Sequence, residues 1–244
     1  HLISALLGGS IFLLGCSKDD DEKKDTGTVK LALANATGTA GLGLDTHAGA
    51  MTATIQTWSA TSAQVKLMNV YLVADVDAQT QANVGSSALI WAAAACPPTK
   101  SEDGTYQVNS SCTDADVAYF ELARPTSDVN AELNSQGLGV PVGDYRYVRM
   151  GFCVNGPKAP NTKFMAEPMS EAFEFSSNVC GVTSAKVDPP ISVGKDEAVT
   201  VSVAYDLSEA VYGGEGASAT NCKVEGNIGY CWGFPTLTPS FSKP

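Results

Sequence analysis

At 244 residues, 44% of them hydrophobic, the chain is long enough to bury one full core and too apolar to remain disordered. Its 26 acidic residues against 15 basic ones give a net charge of −11, which disfavours a nucleic-acid partner and provides no hold on anionic lipid, so any membrane attachment has to come from another source. Only 17% of residues are charged, and a chain rich in Ala, Thr, Ser, Val and Gly suits strands and turns better than helices.

The first element reads as an address. Residues 2–15 (LISALLGGSIFLLG) are apolar and uncharged and stop at Cys16. They are shorter than the ~20 residues of a spanning helix and about the length of a signal-peptide core. Leu13-Leu14-Gly15-Cys16 resembles the lipobox of bacterial lipoproteins, with Leu three places before the cysteine and a small residue beside it. The resemblance implies cleavage after Gly15 and acyl chains on Cys16, a stable anchor because each buried CH2 contributes about 0.8 kcal/mol. Residues 17–25 (SKDDDEKKD) follow as a solvated tether. By the same resemblance, Ser17 rather than Asp after the cysteine implies sorting to the outer membrane if the organism has one, so the chain is expected to be exported and lipid-anchored to the outer membrane or cell surface. On this reading His1 and the missing basic segment mark a truncated signal peptide. The chain then divides into signal peptide (1–15), lipidated Cys16 with its tether (16–27) and a single β-sandwich domain (28–244).

Residues 28–33 alternate, with Val29, Leu31 and Leu33 on one face, and predict a strand. Residues 34–50 read as loop, and alternation returns over 51–58. The apolar run 65–75 (VKLMNVYLVAD) predicts a central strand buried on both faces. Residues 87–95 (SALIWAAAA) fit a strand or, given the alanines, a short helix. Residues 100–113 are polar and predict a surface excursion. Residues 117–122 predict a strand, and 124–139 a connection with a helical turn at 129–133. The turn Val140-Pro141-Val142-Gly143-Asp144 leads into a long strand over 145–154. Arg146, Val148, Met150, Phe152 and Val154 are expected on one face, and Tyr145, Tyr147, Arg149 and Cys153 on the other. Short strands are expected over 164–169, 172–175 and 191–193, with a break at Asp188-Pro189-Pro190. The cleanest alternation is 199–207, with Val199, Val201, Val203, Tyr205 and Leu207 inward. A loop over 213–220 precedes a hairpin across 222–231. Many short strands between turn signals predict a mainly β fold, an antiparallel β-sandwich with long disulfide-stapled loops.

Of seven cysteines, six remain if Cys16 carries lipid. An even remainder in an oxidising compartment predicts up to three disulfides, for which fifteen pairings are open. The local set is favoured: Cys96–Cys112, Cys153–Cys180 and Cys222–Cys231, each contributing roughly 2–4 kcal/mol. The absence of any CxxC pair, and His47 as the single histidine after Cys16, speak against a cysteine metal site.

The stretch 117–211 resembles a group of bacterial lipoproteins carrying a transthyretin-like (prealbumin-like) β-sandwich domain of unknown function. Phe120-Glu121-Leu122 ends a strand, and a loop with Leu133 and Asn134 follows. Val140-Pro141-Val142-Gly143-Asp144-Tyr145 is similar to the family's "lPaGtYt" turn before a strand with Arg149. Pro190-Ile191-Ser192-Val193-Gly194 matches its "pf-V-G" turn, and Tyr205-Asp206-Leu207 its hydrophobic-Asp-Leu end. Residues 65–73 stand where the family has an early strand. The six cysteines and the insertion at 155–187 depart from the pattern. A similar Gly-x-Tyr strand start occurs in periplasmic copper-uptake partner proteins, whose histidine ligands are scarce here. In neither case does the fold deliver a function.

No G-x-S-x-G, H-E-x-x-H or P-loop pattern is present; His47 reads as a loop histidine and Gly213-Gly214-Glu215-Gly216 as a linker. The leading expectation is a non-catalytic, membrane-anchored surface or periplasmic lipoprotein, for binding, adhesion or envelope structure. It would need no cofactor, and its partners would be the membrane, through its lipid, and a protein or glycan ligand. Trp58, Trp91 and Trp232 are expected to pack in the core. A second expectation is a metal-binding envelope protein. Calcium would sit on the Asp-x-Asp pairs Asp75/Asp77 and Asp114/Asp116, or copper on Met51, Met68, Met150, Met165 and Met169. A third is a carboxylate-dependent hydrolase using Glu121, Asp144, Glu171 or Glu174.

Overall fold

The computed structural model describes residues 24–36, 56–78, 82–109, 111–112, 117–152, 162–166, 173–175, 182–208, 210–215, 222–225, 228–232 and 237–244. In chain order the first half holds β1 (Thr26–Asn35), β2 (Gln56–Trp58), β3 (Ala60–Val65), β4 (Asn69–Val76), β5 (Asn83–Ala92), β6 (Thr99–Lys100), β7 (Tyr106–Gln107), β8 (Phe120–Glu121) and the helix α1 (Thr126–Leu133). There follow β9 (Leu138–Pro141), β10 (Gly143–Gly151), β11 (Thr162–Ala166), β12 (Phe173–Phe175), β13 (Val182–Val193), β14 (Ala198–Tyr205), β15 (Val211–Glu215), β16 (Cys222–Glu225), β17 (Ile228–Trp232) and β18 (Leu237–Ser242).

Two four-stranded sheets, ordered β18-β14-β1-β9 and β13-β10-β4-β5, share one core in the manner of a sandwich. The first contributes Val29, Leu31, Leu33, Val199, Val201 and Val203; the second contributes Val70, Leu72, Ile90, Val148 and Ile191. All are 3% exposed or less. Fully burying each such side chain contributes roughly 1.5–3 kcal/mol, which is why period-2 spacing fixes these strands. A third sheet, β12-β11-β3-β8, adds Ala63, Val65, Phe120 and Phe164 to the same core. A fourth runs β16-β17-β15-β2, and β6 and β7 form a separate ribbon.

Three features depart from expectation. First, β1 pairs with β14 in parallel, with Val29 opposite Val199 and Leu31 opposite Val201, whereas the other described ladders are antiparallel. Alternation decides which side chains face inward but carries no information on strand direction. Second, the run 65–75 is not one strand. It ends β3 at Val65, crosses at residues 66–68 and restarts as β4 in another sheet. The crossing is held by Met68 N–H to the Gly151 carbonyl (2.8 Å) and Ala93 N–H to the Met68 carbonyl (2.9 Å). In β4, Val70 and Leu72 enter the core while Tyr71 is only half-buried on the opposite face. Third, β10 does not alternate throughout. Its ladder with β13 jumps from Tyr145↔Ile191 to Tyr147↔Lys186, so residues 187–190 oppose Arg146 alone. This bulge absorbs Asp188-Pro189-Pro190 inside β13 instead of ending it. It also turns Tyr145 inward with Val148, leaving Arg146 exposed.

Residues 87–95 resolve as a strand through Ala92, and only Phe120 and Glu121 of 117–122 join a ladder. The helical turn grows to α1, with Val129 and Leu133 buried. Asn134 ends it in the left-handed region (φ 44°), its N–H on the Asn130 carbonyl at 3.1 Å. Beyond Val29, where β9 stops pairing with β1, α1 and its flank complete the β1 edge with side chains. Ser135 Oγ accepts from Leu31 N–H (2.9 Å), Asn130 Oδ1 accepts from Leu33 N–H (2.9 Å) and Asn130 Nδ2 donates to the Leu33 carbonyl (2.7 Å). Thr126 Oγ1 accepts from Asn35 N–H at 3.3 Å.

Tyr205 closes the core beneath β8, donating its hydroxyl to the Leu122 carbonyl at 2.8 Å. Burial, reinforced by the Glu121 carboxylate, pushes its phenol up to about 12 from an ordinary 10.0. A folded value above the unfolded one means that the stabilisation is complete below pH 10 and is lost as pH rises through about 12. Spectrophotometric titration is expected to show one tyrosine ionising last, together with unfolding, and Tyr205→Phe should remove that step. Full ionisation of every tyrosine near pH 10 in a still-folded protein would contradict this burial.

Candidate functional site

The alternation that turns Val70, Leu72, Val148 and Met150 into the core turns Tyr71 and Arg149 to the outer face of the second sheet. The β4–β10 ladder sets Arg149 opposite Tyr71 and, two residues along, Gly151 opposite Asn69. On the other side of β10, β13 places Val182 opposite Gly151. With Asn83 from β5 and Val108 just beyond β7, these residues line an open depression of about 260 Å³. That lies below the roughly 300–1,000 Å³ of drug-sized sites, so the depression suits a small head group.

Each lining residue has a physical reason to be there. Gly151 makes room for Asn69: the Asn69 carboxamide packs over it, and a Cβ at that position would collide with it. Arg149 donates through Nη1 to Asn83 Oδ1. Among the described ion pairs none involves Arg149, although the chain is strongly acidic. Burial raises the Tyr71 phenol above its ordinary value, and a hydrogen bond with the Val108 backbone offsets part of that. Val182 is 47% exposed and offers an apolar lip. The site thus presents a permanent cation, two carboxamides, a protonated phenol and two valines. Such groups can interact with a small molecule by charge and hydrogen bonds.

Val108 is positioned by a stapled loop. Cys96 and Cys112 are disulfide-bonded with Cα atoms 5.4 Å apart, as the sequence predicts for this pair. Both are buried with Met68, Ala93 and Val117 in a small second cluster. Between them, β6 and β7 pair Thr99 with Gln107 and Lys100 with Tyr106. The turn is tied by Asp103, which accepts from the Thr105 hydroxyl (2.7 Å) and N–H (3.1 Å). These bonds and Lys24 hold the Asp103 carboxyl down at about 2.

The residues singled out from sequence are placed differently. Glu121 is a brace between β8 and β3: its carboxylate accepts from Ser62 Oγ (2.6 Å), Ala63 N–H (2.7 Å) and Ala123 N–H (2.9 Å). Asp144 is exposed in a different sheet and accepts from the Ser192 hydroxyl. Glu174 stands opposite Lys163 in the β11–β12 register, and Glu171 lies outside the described residues. Asp75 is exposed and accepts from Val76 N–H at 2.9 Å, while the Asp77 N–H bonds the Ala82 carbonyl. Asp114 and Asp116 lie outside the described residues, among which no group of three or more His, Cys, Asp or Glu has metal-holding geometry. Met68 and Met150 pack in separate clusters, Met165 is half-buried on β11, and Met51 and Met169 lie outside the described residues. Cys222 and Cys231 are register partners across the β16–β17 ladder; Cys16, His47, Cys153 and Cys180 lie outside the described residues. Trp58 and Trp91 pack against the core, Trp91 also donating to the Leu133 carbonyl at 2.8 Å.

The chain matches no family model, no curated protein and no solved structure. The pocket therefore rests on its own geometry. Strict alternation puts Arg149 on a face with Tyr145, but the bulge separates the two, and no sequence motif marks Asn69, Tyr71, Asn83, Val108, Gly151 or Val182. A glycine ending a long apolar strand and an asparagine within the run 65–75 were the available signals.

Proposed function

We propose that this chain is an exported, lipid-anchored bacterial envelope protein whose β domain binds a small ligand in the Tyr71–Arg149 pocket and does no chemistry on it. The observation that carries the binding role is Arg149: a cation held by a neutral amide at an open depression, in a chain of net charge −11. A guanidinium that meets no carboxylate among the described ion pairs keeps donors for an incoming acceptor, and a charge-assisted hydrogen bond to it is strong. The anchoring role is supported by residues 2–16 and their resemblance to a lipobox. The Cys96–Cys112 bridge, buried and closing a surface loop, suits a compartment that keeps disulfides oxidised. We read the sandwich as transthyretin-like on the resemblance of residues 117–211, whose turn at 140–144 leads from β9 into β10.

Fractionation tests the anchor. In cells making the chain with its leader, Cys16→Ala should move the protein from the membrane to the soluble exported fraction and end incorporation of labelled palmitate. A Cys16→Ala protein that stays in the membrane at the wild-type level removes the lipid from this account.

A further inference from the structure

We propose that the pocket recognises a carboxylate carried on a small, partly apolar body, such as a sugar acid or a peptide C-terminus; this rests on the binding role assigned above. A guanidinium has five N–H donors in a planar fork, and the bond to Asn83 Oδ1 uses one of them. The fork matches the two oxygens of a carboxylate or those of a phosphate. Three observations select the carboxylate. The pocket brings one cation, against a chain carrying −11, which suits a single negative charge better than a dianion. Its other polar groups, the Asn69 and Asn83 carboxamides, donate as well as accept, and so suit an amide or hydroxyl next to the charge. Its remaining walls, Val108 and the half-exposed Val182, suit a short hydrocarbon segment rather than a fully hydrated anion. Gly151 leaves room for the Asn69 carboxamide to lie where it lines the pocket, and any larger residue there would displace it.

The full chain is to be titrated by NMR with galacturonate and N-acetylalanine, each beside its uncharged counterpart, galactose and N-acetylalanine amide, and with inorganic phosphate. At least one acid is expected to give saturable shifts of the Asn69 and Asn83 side-chain amides while its neutral counterpart and phosphate do not. Which acid saturates separates the sugar source from the peptide source. Arg149→Gln should weaken that binding by about tenfold or more. Gly151→Ala, which keeps the charge and pushes the Asn69 carboxamide out of place, should weaken it similarly, with the unchanged backbone spectrum confirming that the variant folds. Lys186→Gln, the same loss of charge at an exposed site on β13, should leave the affinity as it was. An equal response to acid and neutral counterpart, a preference for phosphate, or full binding by Arg149→Gln overturns the carboxylate assignment while leaving a binding pocket in place. Silence from all five probes also overturns it, and the anchoring reading is then judged separately by Cys16→Ala.

Discussion

Replacing Asn130 with alanine is expected to lower the unfolding free energy by about 2–4 kcal/mol, although alanine is the better helix former. Intrinsic propensity alone predicts the opposite sign, a gain of about half a kcal/mol in the middle of α1. The tertiary effect is larger because Asn130 does the work of a strand residue. Its carboxamide satisfies both the N–H and the carbonyl of Leu33, and its Nδ2 also bonds the Thr126 carbonyl. Leu33 is 1% exposed, so each orphaned backbone group costs about 1–3 kcal/mol. For a chain of this size the loss corresponds to a fall in Tm of roughly 4–16 °C. The neighbouring positions set a ranking. Ser135→Ala removes one acceptor, that of Leu31 N–H, and should cost less; Thr126→Ala removes a longer, exposed bond and should cost least. Thermal or urea unfolding of the three variants decides the matter. A stabilised Asn130→Ala, or a Ser135→Ala as costly as Asn130→Ala, would mean that α1 does not complete the β1 edge.

The same edge shows what a sequence can and cannot disclose. The strands with one buried face were legible: Val29, Leu31 and Leu33, and Val199 to Tyr205, alternate because each inward residue meets the opposing sheet. Their parallel pairing was not, since inward faces look alike in either direction. Nor was the role of Asn130, which depends on β9 ending its pairing at Val29, a fact of topology and not of local pattern. The run 65–75 misled because apolar residues at a crossover and in a strand have the same composition. Lys66 is 7% exposed with its ammonium 5.2 Å from the centre of the Tyr119 ring, an environment that hydropathy does not anticipate. Of the candidate site, the Cys96–Cys112 bridge was readable from loop length and an even cysteine count. The pocket was not, because Asn69, Asn83, Arg149 and Val182 come from four strands, and Arg149 shares its face with Tyr71 only by register. Glu121 looked like a catalytic acid for the reason that makes it a good brace: a carboxylate at a strand end can accept several N–H and O–H donors, and here it accepts three.

Removing the Cys96–Cys112 bridge as Cys96→Ala with Cys112→Ala should have two separable effects. The bridge spans a sequence separation of 16, and closing a loop of that order stabilises by about 3 kcal/mol through the unfolded chain. Alanines keep the site apolar among Met68, Ala93 and Val117, so the loss should stay near that value, whereas paired serines would add the cost of buried hydroxyls. The second effect is on the pocket. The loop carries Val108, whose backbone bonds the Tyr71 phenol and whose presence helps to bury it. Burial is the larger influence on that phenol, so freeing the loop should bring its ionisation down towards the ordinary 10.0 even though a hydrogen bond is lost. Carbon-13 titration of Tyr71 in the folded variant reads this directly, and affinity for the carboxylate probe should fall in the same variant. A destabilised protein whose Tyr71 titrates as in the wild type would show that the bridge acts on the unfolded chain alone. The wall at Val108 would then be held by the β6–β7 ribbon and the contacts of β7 with β5 and β9.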